Sequence, residues 1–250
     1  MKKKIISLCL VVALGATAVI GGTLAYFTDV DKEINTFTVG NISIDLQENF
    51  TQESKLMPGI DVTKEVWIEN DGDNDAYVWY EWLIPAALDS TDGSTGTNNV
   101  LHVNSFGRTW DAYRENNKYW AEGQETALPL EQTWDHDPEI ELANELGPQG
   151  FAGEVEIDGV KYNKYVTLYH GVVSAKKDGV NGKTTSAMSK VYLDPKVDCI
   201  DGEYYIVADG VATPVNFDVA DTQIIVHAYG IQAQGFDTVY EAYQAYQAQY

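Results

Sequence analysis

Six Asp-Gly pairs, beginning at Asp71, Asp92, Asp158, Asp178, Asp201 and Asp209, punctuate the chain. Asp-Gly supplies the positive φ angles of tight hairpin turns, so a chain marked this way is built to fold back on itself in short antiparallel strands. The segments between the pairs agree. Asn41-Ile42-Ser43-Ile44-Asp45-Leu46-Gln47 alternates polar and apolar residues with period two, the pattern of a half-buried strand. Val62 to Asn70 and Tyr77 to Ile84 are further strands, the second ended by Pro85. Glu154-Val155-Glu156-Ile157 and Val160-Lys161-Tyr162 flank one turn and predict a hairpin; Glu203 to Ala208 and Val211 onward predict a meander. Val219 to Ala233, apolar around Ile224-Ile225-Val226, predicts a central strand. Short strands without alternating helices give an all-β, antiparallel sandwich or jelly roll rather than a parallel α/β sheet.

Two regions depart from this pattern. Ser90 to Gly153 opens on the loop-forming Asp92-Gly93-Ser94-Thr95-Gly96-Thr97-Asn98-Asn99 and then scatters Trp110, Tyr113, Trp120 and Trp134 among polar residues. It reads as a mixed insertion at about 90–153 decorating the sandwich. At the other end, Tyr240, Tyr243 and Tyr246 stand three apart among Ala, Gln and Glu, one face of a short C-terminal helix.

The N-terminus carries an export pattern. Lys2, Lys3 and Lys4 precede an uncharged stretch from Ile5 to Ile20, and Thr23-Leu24-Ala25 places small residues at the −3 and −1 positions of a signal-peptidase site. Residues 1–25 are therefore expected to be removed, with Tyr26 the first residue of the mature chain. The apolar run is short for a membrane span of roughly 20 residues. Cys9 stands too early in it for a lipid-modified cysteine. The mature chain then has 13 basic against 38 acidic side chains, a balance that repels phosphate backbones and excludes nucleic acid as a partner. Cys199 becomes its single cysteine, so no internal disulfide is expected. It sits in Val197-Asp198-Cys199-Ile200-Asp201, where acids raise a thiol's pKa, and a buried or half-buried strand position is expected.

Three stretches carry a family resemblance. Gly21-Gly22-Thr23-Leu24-Ala25-Tyr26-Phe27-Thr28-Asp29 resembles the signal-peptide junction of the TasA/camelysin family. These are secreted proteins of Gram-positive bacteria processed by a SipW-type signal peptidase. Thr36-Phe37-Thr38-Val39-Gly40-Asn41-Ile42-Ser43-Ile44 is similar to the family's first-strand segment. Pro58-Gly59 through Asn70-Asp71-Gly72 resembles its Pro-Gly turn, strand and following turn, with Ile60 where the family usually places an acid. Ala228 to Phe236 is similar to the endings of clostridial proteins with this type of signal.

The resemblance implies a jelly-roll sandwich, exported to the extracellular or cell-surface matrix, that assembles with itself into biofilm fibres. It also implies that the segment after cleavage, residues 26–40, is donated to the next subunit, ahead of a sandwich over 41–250. Tyr26, Phe27, Val30, Ile34, Phe37 and Val39 would anchor that segment. Pairing within its own subunit is the equal alternative.

Other functions stay open at this level. Camelysins are classed as metallopeptidases, yet His102, His136, His170 and His227 are each at least 34 positions apart and none sits in His-Glu-x-x-His. No enzymatic activity and no cofactor are therefore expected. Asp71, Asp73 and Asp75 begin like a calcium loop, but Ala76 and Trp82 fall at the positions that need Gly and Glu, leaving only a looser calcium site in a turn. Trp110, Trp120 and Trp134 would form a sugar-stacking platform if exposed, the mark of an adhesive or carbohydrate-binding surface module. Other matrix or cell-surface components are the partners such a module would have.

Overall fold

The computed structural model describes residues 28–31, 42–51, 56–89, 100–105, 114–115, 118–119, 130–132, 134–135, 150–215 and 223–249. Its strands are β1 (Thr28–Asp31), β2 (Ile44–Phe50), β3 (Val62–Asn70), β4 (Ala76–Pro85), β5 (Leu101–Ser105), β6 (Arg114–Glu115), β7 (Lys118–Tyr119) and β8 (Trp134–Asp135), then β9 (Phe151–Ile157), β10 (Val160–Tyr169), β11 (Gly182–Lys183), β12 (Met188–Leu193), β13 (Val197–Ile200), β14 (Glu203–Ala208), β15 (Val211–Pro214) and β16 (Ile225–Gln232). A helix, α1, spans Val239–Gln247.

Two antiparallel sheets form a jelly-roll-like sandwich. The front sheet runs β1-β16-β4-β10, with β9 and β8 sharing the far side of β10; the back sheet runs β2-β3-β12-β5, with β11 beside β12 on β3. Strand alternation explains the layers. On β4, Val78, Tyr80, Trp82 and Ile84 point between the sheets, where they meet Val66 and Ile68 of β3, Ile44 at the start of β2 and Ile42 just before it. Tyr77 and Trp79 point the other way, into a second apolar cluster with Val166 and Leu168 of β10, Tyr229 and Ile231 of β16, and Val239, Ala242 and Tyr243 of α1. The helix thus roofs the front sheet and makes a third layer. Trp79 anchors it, edge-on to Tyr243 at 5.4 Å and to Tyr246 at 5.0 Å between ring centroids. The helix is N-capped by Thr238, whose Oγ1 accepts from the Glu241 amide at 3.3 Å, and Glu241 Oε2 accepts from the Asp237 amide at 2.9 Å.

The Asp-Gly turns divide by what they connect. Asp158, Asp178, Asp201 and Asp209 all have φ between 51° and 54° and precede glycines with positive φ, the geometry of a type I′ turn. They join β9 to β10, Lys177 to Val180, β13 to β14 and β14 to β15. The expected hairpin and meander are both present. Asp71-Gly72 is different, because β3 and β4 lie in opposite sheets and a two-residue hairpin cannot bridge them. Here Asn70, fully buried, organises the crossing. Its Oδ1 accepts from the Gly72 amide at 3.0 Å and its Nδ2 donates to the Asn74 and Val173 carbonyls at 2.9 and 3.1 Å. Asp92 lies outside the described residues.

Two expectations need correction. The stretch 90–153 is more than decoration, since Leu101–Ser105 pairs with β12 as part of the back sheet and Val100, Leu101 and Val103 are core residues. Cys199 is exposed rather than buried. It sits on β13, whose first residue, Val197, packs on the core while the rest of the strand extends beyond the sandwich.

Candidate functional site: the β16 edge

β16 lies between β4 and β1. It pairs with β4 along its whole length, from Ile225 opposite Leu83 to Gln232 opposite Ala76. On its other side β1 is antiparallel, with Thr28 opposite Ile231, Asp29 opposite Gly230, Val30 opposite Tyr229 and Asp31 opposite Ala228. The sequence of β16, Ile-Val-His-Ala-Tyr-Gly-Ile-Gln, contains no Asp, Glu, Lys or Arg. Long uncharged strands are safe at a sheet edge only when something covers them. Here β1 is the cover.

Both faces of β16 are committed. On the roofed face, Tyr229 stacks on Trp79 with centroids 6.0 Å apart and planes 4° apart, and its hydroxyl donates to Glu81 Oε2 at 2.9 Å. Burial raises the Tyr229 hydroxyl far above the ordinary tyrosine range, and the negative charge of Glu81 pushes it further the same way. Tyr229 is therefore a neutral donor. On the sandwich face, Gly230 admits the back sheet. A Cβ at this position would stand 3.2 Å from both the Cδ1 and Cγ2 methyls of Ile44 at the start of β2. Gly230 is thus where the two sheets close against each other at this edge, and the requirement is for space rather than for an unusual φ.

The opposite edge of the front sheet is built differently. β9 exposes Glu154 and Glu156, carries Gly153 at φ 106°, and pairs with β10 through a register shift between Asn163 and Tyr165. Charges and a bulge are the usual devices that keep an edge from recruiting another strand. Within one sheet, one edge is guarded and the other is covered by a short N-terminal segment.

The residues singled out from sequence distribute as follows. Val30 lies in β1, opposite Tyr229. Thr23, Ala25, Tyr26, Phe27, Ile34, Phe37 and Val39 lie outside the described residues, as do Trp110, Trp120 and His136. Trp134 is withdrawn from any sugar-binding platform: it is 0% exposed, wedged against Tyr80 and Tyr169 with centroids at 4.6 and 4.8 Å, and its Nε1 donates to the Thr185 carbonyl at 3.1 Å. A two-residue strand on β10 delivers it to the core, which no periodicity in so short an element announces.

Asp71, Asp73 and Asp75 are exposed and do not converge; Asp75 Oδ1 instead accepts from the Ala175 amide at 2.7 Å. Among the described residues no group of three or more His, Cys, Asp or Glu side chains is placed to hold a metal. His102 pairs with Asp194 at 2.8 Å and stacks on Tyr192, His170 lies edge-on to Tyr240, and His227 lies edge-on to Tyr229, so these three occupy separate places. Sequence reading missed Gly230 and the contrast between the two edges. The absence of charge across β16 was the available signal.

No curated protein and no solved structure matches the chain. Residues 1–78 match the family model described as camelysin metallo-endopeptidase. Spanning the leader pattern, β1, β2, β3 and the first residues of β4, that match makes the chain TasA/camelysin-like over its first 78 residues.

Proposed function

We propose that this is an exported structural protein of the cell-surface matrix that polymerises by exchanging its N-terminal strand at the β16 edge. The carrying observation is the contrast just described, an uncharged strand covered by a short terminal segment on one edge and a bulged, acidic strand on the other. In the single chain β1 fills the slot of its own subunit. In a fibre the same register would come from the preceding subunit, which leaves the ladder unchanged and converts an internal contact into a link. The TasA/camelysin-like match over the leader and first strands supports an extracellular or surface location. A SipW-type peptidase would do the processing, and other matrix components would be the further partners.

The family model's description names an endopeptidase. The role proposed here is non-catalytic and needs no cofactor, because the described histidines are separated and each is engaged in a local contact.

Electron microscopy of the secreted protein, beside Phe27→Asp and Phe37→Asp variants, tests the reading. A charge on an anchor of the exchanged segment should leave a folded monomer by circular dichroism and abolish filaments. Filaments from both variants would refute strand exchange.

A further inference from the structure

The front sheet is roofed by α1, but the outer face of the back sheet carries no such roof among the described residues. On β3, Thr63, Glu65, Trp67 and Glu69 alternate with the core residues and point away from the sandwich, each half-buried or exposed. Residues directly opposite one another share a face, so β2 adds Asn49 beside Glu65, Gln47 beside Trp67 and Asp45 beside Glu69. Trp67 belongs to neither apolar cluster. A large aromatic ring in the middle of an open sheet offers apolar surface for a ligand to cover.

The polar groups around the indole are held in place. Its Nε1 donates to Glu69 Oε1 at 3.1 Å, and Asn181 Nδ2 donates to Glu69 Oε2 at 3.0 Å. The bond from Asn181, and then that from Trp67, holds the Glu69 carboxyl below the usual carboxylate range. Asn49 Nδ2 donates to Glu65 Oε2 at 2.7 Å, and Gln47 Nε2 donates to Asp45 Oδ2. Each carboxylate oxygen has two acceptor sites, so Glu65 and Glu69 can take further donors without giving up these bonds. They stand two residues to either side of Trp67, about 7 Å along the strand. Two cations lie at the margin: Lys190, opposite Thr63 and paired with Asp61 at 2.9 Å, and Lys183, opposite Glu69. Against Asp45, Asp61, Glu65 and Glu69 they leave the face negative.

This chemistry narrows the ligand. A peptide added as a strand needs an open edge, and β3 is paired on both sides, to β2 and to β11 and β12. An amphipathic helix needs an apolar groove, and here a single ring is surrounded by acids and amides. Anionic polymers are repelled. A sugar ring has an apolar C–H face to lay on an indole and hydroxyls to meet the carboxylates and amides beside it. The acids add a demand for positive charge on that sugar. We propose that the outer face of the back sheet binds a polysaccharide of amino sugars with free ammonium groups: one ring lies on Trp67, and Glu65 and Glu69 hold the ammoniums. The inference rests on the extracellular location proposed above and is independent of strand exchange.

The test is isothermal titration calorimetry of the secreted protein with hexamers of glucosamine, N-acetylglucosamine and lysine. The glucosamine hexamer should bind at least about tenfold more tightly than the other two. Trp67→Ala should weaken it by about tenfold or more, and Trp67→Tyr, which keeps a ring, should retain most of the affinity. Glu65→Gln with Glu69→Gln should lose as much as Trp67→Ala, with circular dichroism unchanged. Asp178→Asn with Asp209→Asn removes two charges elsewhere at turns that Asn suits equally, and should leave binding as it was. No binding of the glucosamine hexamer, indifference to Trp67→Ala, or equal losses from the two double variants would overturn the inference. So would lysine binding as tightly, which makes the face a peptide surface, or equal binding of the acetylated sugar, which leaves the acids without a role. Binding without filaments would refute only strand exchange; filaments that bind no amino sugar would refute only this inference.

Discussion

Replacing Trp134 with alanine tests the largest revision that the structure makes to the sequence reading. The indole is fully buried, contacts Tyr80 and Tyr169, and donates to the Thr185 carbonyl. Truncating a core tryptophan costs about 3–5 kcal/mol through lost burial and the cavity left behind. Leaving the Thr185 carbonyl without its donor adds roughly 1 kcal/mol or more. The total, about 4–6 kcal/mol, is comparable to the whole net stability of an ordinary domain, roughly 5–15 kcal/mol. Trp134→Phe keeps a stacked ring and loses only part of the volume and the donor, so it should cost about 2 kcal/mol. Urea titration followed by far-ultraviolet circular dichroism measures both, with the slope of the transition unchanged if only stability has moved. A loss under about 1 kcal/mol for Trp134→Ala would put the indole back at the surface and refute its assignment to the core.

Two further outcomes follow from buried hydroxyls and from the exposed thiol. The hydroxyls of Tyr80, Tyr169 and Tyr229 are raised chiefly by burial, so they favour the fold while neutral and cease to do so as they ionise. Their stabilisation is fully present below pH ~10, the ordinary tyrosine value, and should fall as pH rises beyond it. The urea midpoint should be lower at pH 11 than at pH 9, and equal midpoints would contradict neutral burial. Cys199 is exposed, so Cys199→Ser should change stability by less than about 0.5 kcal/mol. The native protein should also titrate one thiol with a disulfide reagent without denaturant; a thiol that reacts only after unfolding would be inconsistent with the β13 position.

Local chemistry was legible in the sequence wherever it determined local structure. Asp158-Gly159 and Asp201-Gly202 announce their hairpins because only a type I′ turn joins two strands through two residues with that φ pattern. The spacing of Tyr240, Tyr243 and Tyr246 announces α1 in the same way. What stayed hidden depends on partners distant in the chain. Asp71-Gly72 looks like any other turn until β3 and β4 are known to lie in different sheets. Trp134 and Leu101 sit in a polar, loop-rich stretch, and only pairing with β10 and β12 brings them inside. Cys199 has the neighbours of a core strand, yet β13 runs past the rim of the sandwich. The edge itself was half legible: the uncharged run of β16 marks a strand that must be covered, but nothing local says that a segment near residue 30 covers it.

The sharing of β4 between two apolar clusters has a consequence for how the molecule breathes. Its odd and even residues serve opposite cores, and its backbone is paired on both sides, to β16 and to β10. Peeling α1 away would uncover Trp79 without freeing a single β4 amide, and loosening the back sheet would uncover Trp82 with the same result. Solvent deuterium reaches each of those amides only when the ladder that holds it, to β16 or to β10, parts inside the sheet. The slowest-exchanging protons of the chain should therefore cluster between Tyr77 and Ile84, and their exchange should report the global unfolding equilibrium. Amides of β1, held from one side at the sheet's rim, should exchange through a much cheaper opening. The same sheet thus joins a clamped centre to a labile margin, and a strand can be traded at that margin while the centre stays closed.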